Sequence, residues 1–298
     1  MSARRALRLA TRGSPQARTQ AEAVAAALGA AGVDAELVLV ETTGDRRQDV
    51  PLHTIGGQGV FVKEVQHAVL DGRADAAVHS AKDLPSTPHP ALRLAAFTAR
   101  RDAADALVGR ALADLGEGAT VATGSVRRRA QLADARPDLV FVELRGNIAR
   151  RLERVPAGGS IVMAVAALAV LELTDRIAER LEPSAFVPAV GQGCVAVEAG
   201  GGDDAAITAL AAIDDPPTRH AVEVERSFLA ELGSGCSLPV GGHVADGWLH
   251  VFLAERDVVE PGRGAGRTAR DAVALGGDGA DHERARAAAR RARRAVGG

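Results

Sequence analysis

The chain has few aromatic residues, few cysteines and few lysines, and these shortages exclude several kinds of site. Of its 298 residues six are Phe, one is Trp and none is Tyr, so surfaces that stack bases or flat ligands are not expected. Two cysteines, Cys194 and Cys236, cannot form a disulfide scaffold or a four-thiolate metal site. The eight histidines show no metal-ligand spacing. We expect no bound metal and a reducing, cytoplasmic location.

Long apolar runs and a strong net charge are also lacking. The formal net charge is -2, which argues against the positive field of a nucleic-acid-binding protein. The longest apolar run, residues 161–171, falls short of the ~20 residues that span a bilayer. It predicts a buried strand that leads into a buried helix. We therefore expect neither a nucleic acid nor a membrane as a partner.

Strands and helices alternate along the first two thirds of the chain. The pattern predicts strands at 7–10, 35–40, 74–78, 119–122 and 139–142, and helices at 15–29, 60–70, 125–135 and 147–154. Such alternation indicates parallel strands joined by helical crossovers. Because the pattern restarts after Asp102, we predict two similar α/β lobes. A later strand, Cys194 to Val197, is predicted to cross back into the first lobe.

A third, smaller unit follows two consecutive prolines, Pro216 and Pro217. Thr218 is predicted to cap a helix that runs through Leu232. Strands at 240–244 and 248–253 and a helix at 282–296 then indicate an α+β module. The predicted domains are 4–98 with 193–214, 99–192, and 215–298.

Three strand-to-helix junctions share one pattern, a small polar residue at the helix start with arginine close by. Their cap residues are Ser14, Ser125 and Asn147; their arginines are Arg12, Arg127, Arg128, Arg129, Arg145, Arg150 and Arg151. Free backbone N–H groups at a helix start attract anions, and arginine matches carboxylate or phosphate through two-point contacts. The pattern favours a cleft for a ligand with several acidic groups. The alternative is plain helix capping with solvated arginines.

Two further motifs carry reactive groups. The first places Lys82 and Asp83 just after a buried-type strand, where a carboxylate suits proton transfer or stabilisation of a cation; the alternative is a turn with a surface ion pair. The second places Cys236 in a glycine-rich loop, which suits a nucleophile or a covalent attachment point. Cys194 is expected to be a core residue. The glycine cluster at 55–59 is interpreted as a lid over the cleft or an ordinary flexible loop.

Seven motifs along the chain resemble, in order, those of the porphobilinogen deaminase (hydroxymethylbilane synthase) family. They are Ala10-Thr11-Arg12-Gly13-Ser14-Pro15, Gly56-Gly57-Gln58-Gly59-Val60-Phe61-Val62-Lys63-Glu64, His79-Ser80-Ala81-Lys82-Asp83-Leu84-Pro85, Thr123-Gly124-Ser125-Val126-Arg127-Arg128, Leu144-Arg145-Gly146-Asn147, Pro188-Ala189-Val190-Gly191-Gln192-Gly193 and Gly235-Cys236-Ser237-Leu238-Pro239-Val240-Gly241. The resemblance implies a cytoplasmic, monomeric transferase with two periplasmic-binding-protein-like lobes and a third α+β domain.

The resemblance also implies a reaction and a set of site residues. Four porphobilinogen molecules would be deaminated and joined on a dipyrromethane cofactor that is bound covalently to Cys236, releasing ammonia and hydroxymethylbilane. Asp83 would be the catalytic residue. The residues implied to bind the cofactor are Ser80, Lys82, Thr123, Ser125, Arg127, Arg128 and Arg145, and those implied to bind the substrate are Arg12, Ser14, Arg145 and Arg151.

Three positions depart from the family pattern, because each lacks a basic residue that is usual there. They are Gln58, Ala104 and Val170. We expect these changes to weaken contacts with acidic groups rather than to abolish the activity. Two other readings remain at this point: an anion-binding module without catalysis, and a nucleic-acid-binding protein that uses Arg127–Arg129 and the C-terminal arginines.

Overall fold

A computed structural model describes residues 5–42, 61–233, 238–255 and 266–297. In chain order its elements are β1 (Leu7–Arg12), α1 (Pro15–Ala30), β2 (Ala35–Val40), α2 (Lys63–Leu70), β3 (Ala76–Ser80), β4 (Leu92–Phe97), β5 (Asp105–Gly109), β6 (Thr120–Ala122), α3 (Val126–Ala135), β7 (Val140–Val142), α4 (Ile148–Leu152), β8 (Ser160–Ala164), α5 (Val165–Val170), β9 (Glu179–Leu181), β10 (Val195–Gly200), α6 (Asp204–Ala211), α7 (Pro216–Glu231), β11 (Val240–Ala245), β12 (Trp248–Ala254), β13 (Thr268–Ala274) and α8 (Asp281–Ala295). Short 3-10 turns lie at 81–83, 112–114 and 174–176.

Two five-stranded sheets form the first two lobes. Their strand orders are β2-β1-β3-β10-β4 and β7-β6-β8-β5-β9. In each sheet the first three strands are parallel and the fourth runs antiparallel to both of its neighbours. The chain passes from one sheet to the other between β4 and β5 and again between β9 and β10, so two segments join the lobes. The predicted class of two similar α/β lobes is confirmed, as is the return of β10 to the first sheet.

Local sequence explains the helix that follows β1. Ser14 is extended and its Oγ accepts a hydrogen bond from the Ala17 N–H, while Pro15 occupies the first turn, where its missing N–H costs nothing. Ala21, Val24 and Leu28 recur at helical spacing, and all three are buried against the first sheet. This packing fixes the start of α1 beside the end of β1.

The third unit is an antiparallel sheet, β11-β12-β13, covered by α7 and α8. Val224 and Phe228 of α7 pack against alanines of α8, whose small side chains let the two helices approach. The α+β prediction is confirmed, although β13 was not predicted; in the two lobes, β4, β5, β9 and α6 were not predicted either. The predicted helix cap was wrong: Asp215 caps α7 by accepting the Thr218 N–H at 2.9 Å, because the two prolines fit the first helical turn.

The predicted helix at 60–70 begins only at Lys63 in the described residues. The buried run 161–171 is the end of β8 continuing directly into α5, as predicted. Contacts between α5 of the second lobe and α1 of the first bring the two lobes together at the strand ends. The functional side chains lie around this meeting point.

Candidate active site between the two lobes

The three predicted caps are present at the three helix starts. Ser125 Oγ accepts the Arg128 N–H at 3.4 Å and Asn147 Oδ1 accepts the Arg150 N–H at 3.0 Å, as Ser14 does for α1. Each cap satisfies one backbone donor and leaves others of the first turn available. All three residues are therefore helix caps. Capping by itself does not decide whether the same helix starts bind anions.

Asp83 lies in a tight turn directly after β3. The turn is fixed by a backbone hydrogen bond, which the Ala81 N–H donates to the Cys194 carbonyl at 2.9 Å. Gly191, with φ +72°, lies so close that an added Cβ would sit 3.0 Å from the Ala81 Cβ, so both its conformation and its lack of a side chain matter. Asp83 is half-buried and accepts no hydrogen bond from any residue of the described ranges. Its carboxylate is therefore held in place by backbone and not tied up by side chains.

Lys82 is partly buried beside other cations. Burial, together with the charges of Arg128 and Arg127, lowers the pKa of Lys82 to about 8 against the opposing effect of Asp83 and Asp105. Its Nζ lies 3.5 Å from Gln192 Oε1. No ion pair between Lys82 and Asp83 is formed within 4.0 Å in the described part of the chain.

Arg127 and Arg128 are held by one buried carboxylate. Asp105 is fully buried; its Oδ2 lies 2.8 Å from Arg127 Nη1, and its Oδ1 accepts from Arg128 Nη2 at 2.6 Å. Burial opposes ionisation of Asp105, but the two guanidinium groups outweigh it and hold its pKa below the ordinary range. Arg127 Nη1 also donates to the Val187 carbonyl and Arg128 Nη1 to the Val162 carbonyl. The contacts of these two arginines are mainly with the protein interior, and neither side chain is solvated.

Arg145 and Arg151 are differently placed, because no carboxylate neutralises them within salt-bridge distance in the described residues. Burial, Arg128 and Arg145 lower the pKa of Arg151 to about 10, and Asp83 of the other lobe opposes this shift. Arg151 Nε donates to the Gly146 carbonyl at 2.7 Å. One nitrogen of Arg145, Nη1, is buried without a hydrogen-bond partner among the described residues. A bound anion at this place would compensate these cations.

The remaining predicted residues surround this cluster. Ser80 Oγ donates to Gln20 Oε1 at 2.9 Å, and the buried Thr123 Oγ1 accepts the Ser125 N–H at 3.2 Å. The Arg12 guanidinium stacks 4.0 Å from the centre of the Phe61 ring. Cys236, Gln58 and the glycine cluster at 55–59 lie outside the described residues.

Two of the positions that lack a basic residue are described. Ala104 is fully buried and packs with Ala106, Val165 and Ile177, so in this chain its side chain belongs to an apolar cluster. Val170 ends α5 and is half-buried. It is absent from the buried core clusters of the described residues.

Sequence reasoning missed Asp105 and Gln192 as site residues. Gln192 is buried, and its Nε2 donates to Asp105 Oδ1 at 2.9 Å and to the Ala103 carbonyl at 2.7 Å. It thus connects Lys82 to the carboxylate that holds the two arginines. The only sequence signal was the Gly-Gln-Gly motif, which does not indicate a role for Gln192.

The donor set suits a polyacidic cofactor better than a metal. The described residues contain no group of three or more His, Cys, Asp or Glu side chains arranged to hold a metal ion. They contain instead Lys82, Arg145 and Arg151, with the unpartnered Arg145 Nη1 among them. These groups fit the carboxylate arms of a pyrrole cofactor.

Among the helices of the described ranges, none has the length and apolar character that a membrane crossing needs.

The fold defines a two-lobed α/β protein in which cationic side chains of both lobes lie near the carboxylate of Asp83. The family model described as "Porphobilinogen deaminase, dipyromethane cofactor binding domain" matches residues 7–208. A porphobilinogen deaminase of Acidothermus cellulolyticus is 50% identical over 246 residues, covering 79% of this chain and 74% of the relative. One from Mycolicibacterium gilvum is 47% identical over 240 residues, covering 79% and 77%.

The chain therefore belongs to the porphobilinogen deaminase family, the hydroxymethylbilane synthases, which are transferases of tetrapyrrole and haem biosynthesis with a dipyrromethane cofactor. Among solved structures, the methionine binding protein MetQ is 14% identical with a TM-score of 0.45, covering 72% of this chain and 92% of its own. A nutrient binding protein from Burkholderia cenocepacia bound to methionine is 12% identical with a TM-score of 0.43, covering 72% and 94%.

Proposed function

We propose that the chain deaminates and joins four porphobilinogen molecules in the cleft between the lobes, with Asp83 as the catalytic residue. The observation that supports this most is the group of cations around Asp83. Lys82, Arg145 and Arg151 come from both lobes, and burial together with neighbouring cations lowers the pKa of Lys82 and of Arg151. A chain of pyrroles with acidic arms supplies the negative charge that this cluster lacks.

Asp83 acts through its free carboxylate. An anion next to a pyrrole nitrogen stabilises positive charge there and can give or take the proton that deamination moves. Since Asp83 accepts no hydrogen bond from the described residues, its oxygens are available to the substrate. The turn that carries it is fixed by the Cys194 carbonyl and Gly191, which keeps the carboxylate oriented.

The cations bind and orient the ligand. Lys82, Arg145 and Arg151 take acidic arms directly, while Ser14 and Ser125 offer helix starts. Arg127 and Arg128 pair with Asp105 on the same side of the site, and their remaining donors would bind the cofactor. When bound, the dipyrromethane supplies the terminal pyrrole carbon to which new units are added.

Cys236 is the proposed attachment point for the cofactor. It lies outside the described residues, so the proposal depends on its loop sequence and on the poor suitability of the other thiol. Cys194 is buried, and burial raises the pKa of that thiol to about 12. A thiol of this kind is a weak nucleophile at neutral pH.

The finer features of the protein belong to the same proposal. We take it to be a cytoplasmic monomer whose small-molecule substrate is porphobilinogen and which does not bind nucleic acid. Its domains are 4–98 with 193–214, 99–192, and 215–298. Arginines of the C-terminal helix are engaged with acidic side chains: Arg284 with Asp278, Arg290 with Glu231 and Arg291 with Asp271. This pairing reduces the positive charge that a nucleic acid would meet.

Two measurements test the function. Intact mass spectrometry should show a covalent two-pyrrole adduct on the purified protein. Incubation with porphobilinogen should then yield uroporphyrin after acid oxidation. An adduct-free protein that binds porphyrin precursors without turnover would instead support a non-catalytic anion-binding module.

A further inference from the structure

A buried carboxylate lies on the strand that pairs with β3, the strand leading into the turn that carries Asp83. Glu198 belongs to β10, the strand adjacent to β3, and is 2% exposed. Its Oε2 accepts a hydrogen bond from Gln66 Nε2 at 2.8 Å and lies 3.1 Å from His79 Nε2. Neither the catalytic proposal nor the anion-binding cluster uses this carboxylate.

The partners of Glu198 flank the aspartate turn (residues 81–85) on both sides. His79 precedes the turn on β3 and is itself 5% exposed. Arg226 of α7, also buried, donates from Nη2 to the Pro85 carbonyl at 2.9 Å, at the far end of the turn. Burial lowers the pKa of Arg226, and the negative charges of Glu198 and Glu223 partly oppose that shift. Glu198 therefore contacts a group that precedes the turn and acts through its charge on a group that binds the far end of the turn.

The carboxylate is ionised in the folded protein. Burial alone would raise its pKa, but the contacts from His79 and Gln66 and the charge of Arg226 outweigh burial and leave the pKa of Glu198 lowered. A buried charge that is paired on several sides is costly to rearrange. The cluster is thus a rigid support for the segment it contacts.

We propose that Glu198 is a positioning residue for the transfer reaction, holding His79 and Arg226 so that the aspartate turn presents the Asp83 carboxylate in one orientation. The inference rests on the proposed role of Asp83. In this role Glu198 contacts neither substrate nor cofactor. Its effect is on the geometry of the reacting carboxylate, so it should act on turnover and not on substrate binding.

The test is Glu198→Gln in the holoenzyme, which keeps the shape and removes the charge. Because small displacements of a reacting group cost about tenfold to a hundredfold in rate, kcat should fall by about that factor while KM stays within about twofold. The covalent adduct should remain, as seen by intact mass. Arg226→Gln should lower kcat in the same way, and the double variant should be little worse than either single variant.

A matched control exists in the third unit. Asp281 is also fully buried and lies 3.1 Å from a histidine nitrogen, His220 Nε2, but the contacts of this pair are not with the aspartate turn. Asp281→Asn should lower the melting temperature and leave kcat unchanged. If Glu198→Gln does not fold, Arg226→Gln decides by the same readout.

The outcomes separate this inference from the proposed function. A Glu198→Gln enzyme with wild-type kcat, or one whose kcat falls no further than that of Asp281→Asn, overturns the positioning role. So does a variant that changes KM and leaves kcat alone. If instead the wild-type protein carries no adduct, or Asp83→Asn turns over normally, the proposed function itself is wrong.

Discussion

Arg128 donates two hydrogen bonds to a single oxygen of Asp105, from Nε at 3.1 Å and from Nη2 at 2.6 Å. The other Asp105 oxygen lies 2.8 Å from Arg127. Both arginines stand at the start of α3, where they would otherwise place two uncompensated charges in the interior. The carboxylate therefore determines which cations of the second lobe remain available to a ligand.

Replacing Asp105 with asparagine should destabilise the protein strongly. The variant leaves two buried guanidinium groups without their counter-ion, and breaking a buried pair in this way costs about 3–5 kcal/mol. Chemical denaturation of the variant and wild type measures the difference. Asp138→Asn is the control, since Asp138 pairs with Arg136 at 2.7 Å but at the surface, and its loss should be much smaller. Equal losses in the two variants would contradict the structural role of Asp105.

The role of Asp105 shows where sequence reasoning stopped. The caps at Ser14, Ser125 and Asn147 were predictable because each depends on a contact three residues away. The partner of Arg127 and Arg128 was not, because Asp105 is on a strand more than twenty positions earlier and only the sheet order brings it near. Those arginines were therefore assigned to ligands without their internal partner.

Strand prediction failed for a related reason. The strand at the edge of the third sheet, β13, has adjacent Arg270 and Asp271 among mostly small residues, which gives no clear apolar pattern. Its partner β12 is apolar and was predicted. Likewise the motif around Asp83 marked a site, but the support from Glu198 depends on pairing between β3 and β10, which the sequence does not display.

Asp83→Asn should nearly abolish product formation while leaving the fold intact. The amide keeps the size of the side chain but cannot stabilise a cation or hold the transferred proton. Because Asp83 is half-buried and accepts no hydrogen bond from the described residues, the melting temperature should change little. Turnover should fall by orders of magnitude in a porphobilinogen assay. Near-normal turnover would rule out the proposed role.

The two cysteines should behave oppositely toward the cofactor. Cys236→Ser removes the proposed attachment atom, so intact mass spectrometry should show no adduct. Cys194→Ser should keep it, because the Cys194 thiol is buried and its pKa is raised to about 12. The cofactor-free protein should also melt lower, since a ligand bound only to the folded state stabilises it. An adduct that persists in Cys236→Ser would show that the attachment point is elsewhere.

In the cofactor-free protein, the positive charge of Lys82 should lower the free energy of unfolding at neutral pH. A variant with an uncharged side chain at this position should therefore be more stable. The pKa of Lys82 is lowered to about 8 in the folded state from an ordinary value of 10.5, so the unfolded chain binds more protons between these values. Stability that depends on Lys82 therefore rises as the pH rises through that window. In the Cys236→Ser background, Lys82→Met should raise the melting temperature at pH 7, and the gain should shrink toward pH 10.5. A gain that is constant with pH would contradict the shifted lysine.

Val170→Arg should strengthen binding of porphobilinogen or of the growing chain. Val170 is half-buried at the end of α5, and Ala166, one turn earlier on the same helix, lines a small cavity with Gln16, Gln20 and Lys82. A well-formed arginine–carboxylate contact contributes about 1.5–3 kcal/mol, so the KM for porphobilinogen should fall about tenfold or more, or enzyme carrying partly built chains should accumulate. Since Val170 is outside the described core clusters, the variant should fold and keep its Cys236 adduct.

Val170→Met, which adds length without charge, should leave KM unchanged. Unchanged kinetics in a folded Val170→Arg protein would mean that another cation already serves that arm, whereas a large drop in melting temperature would place Val170 in the core and not at the cleft.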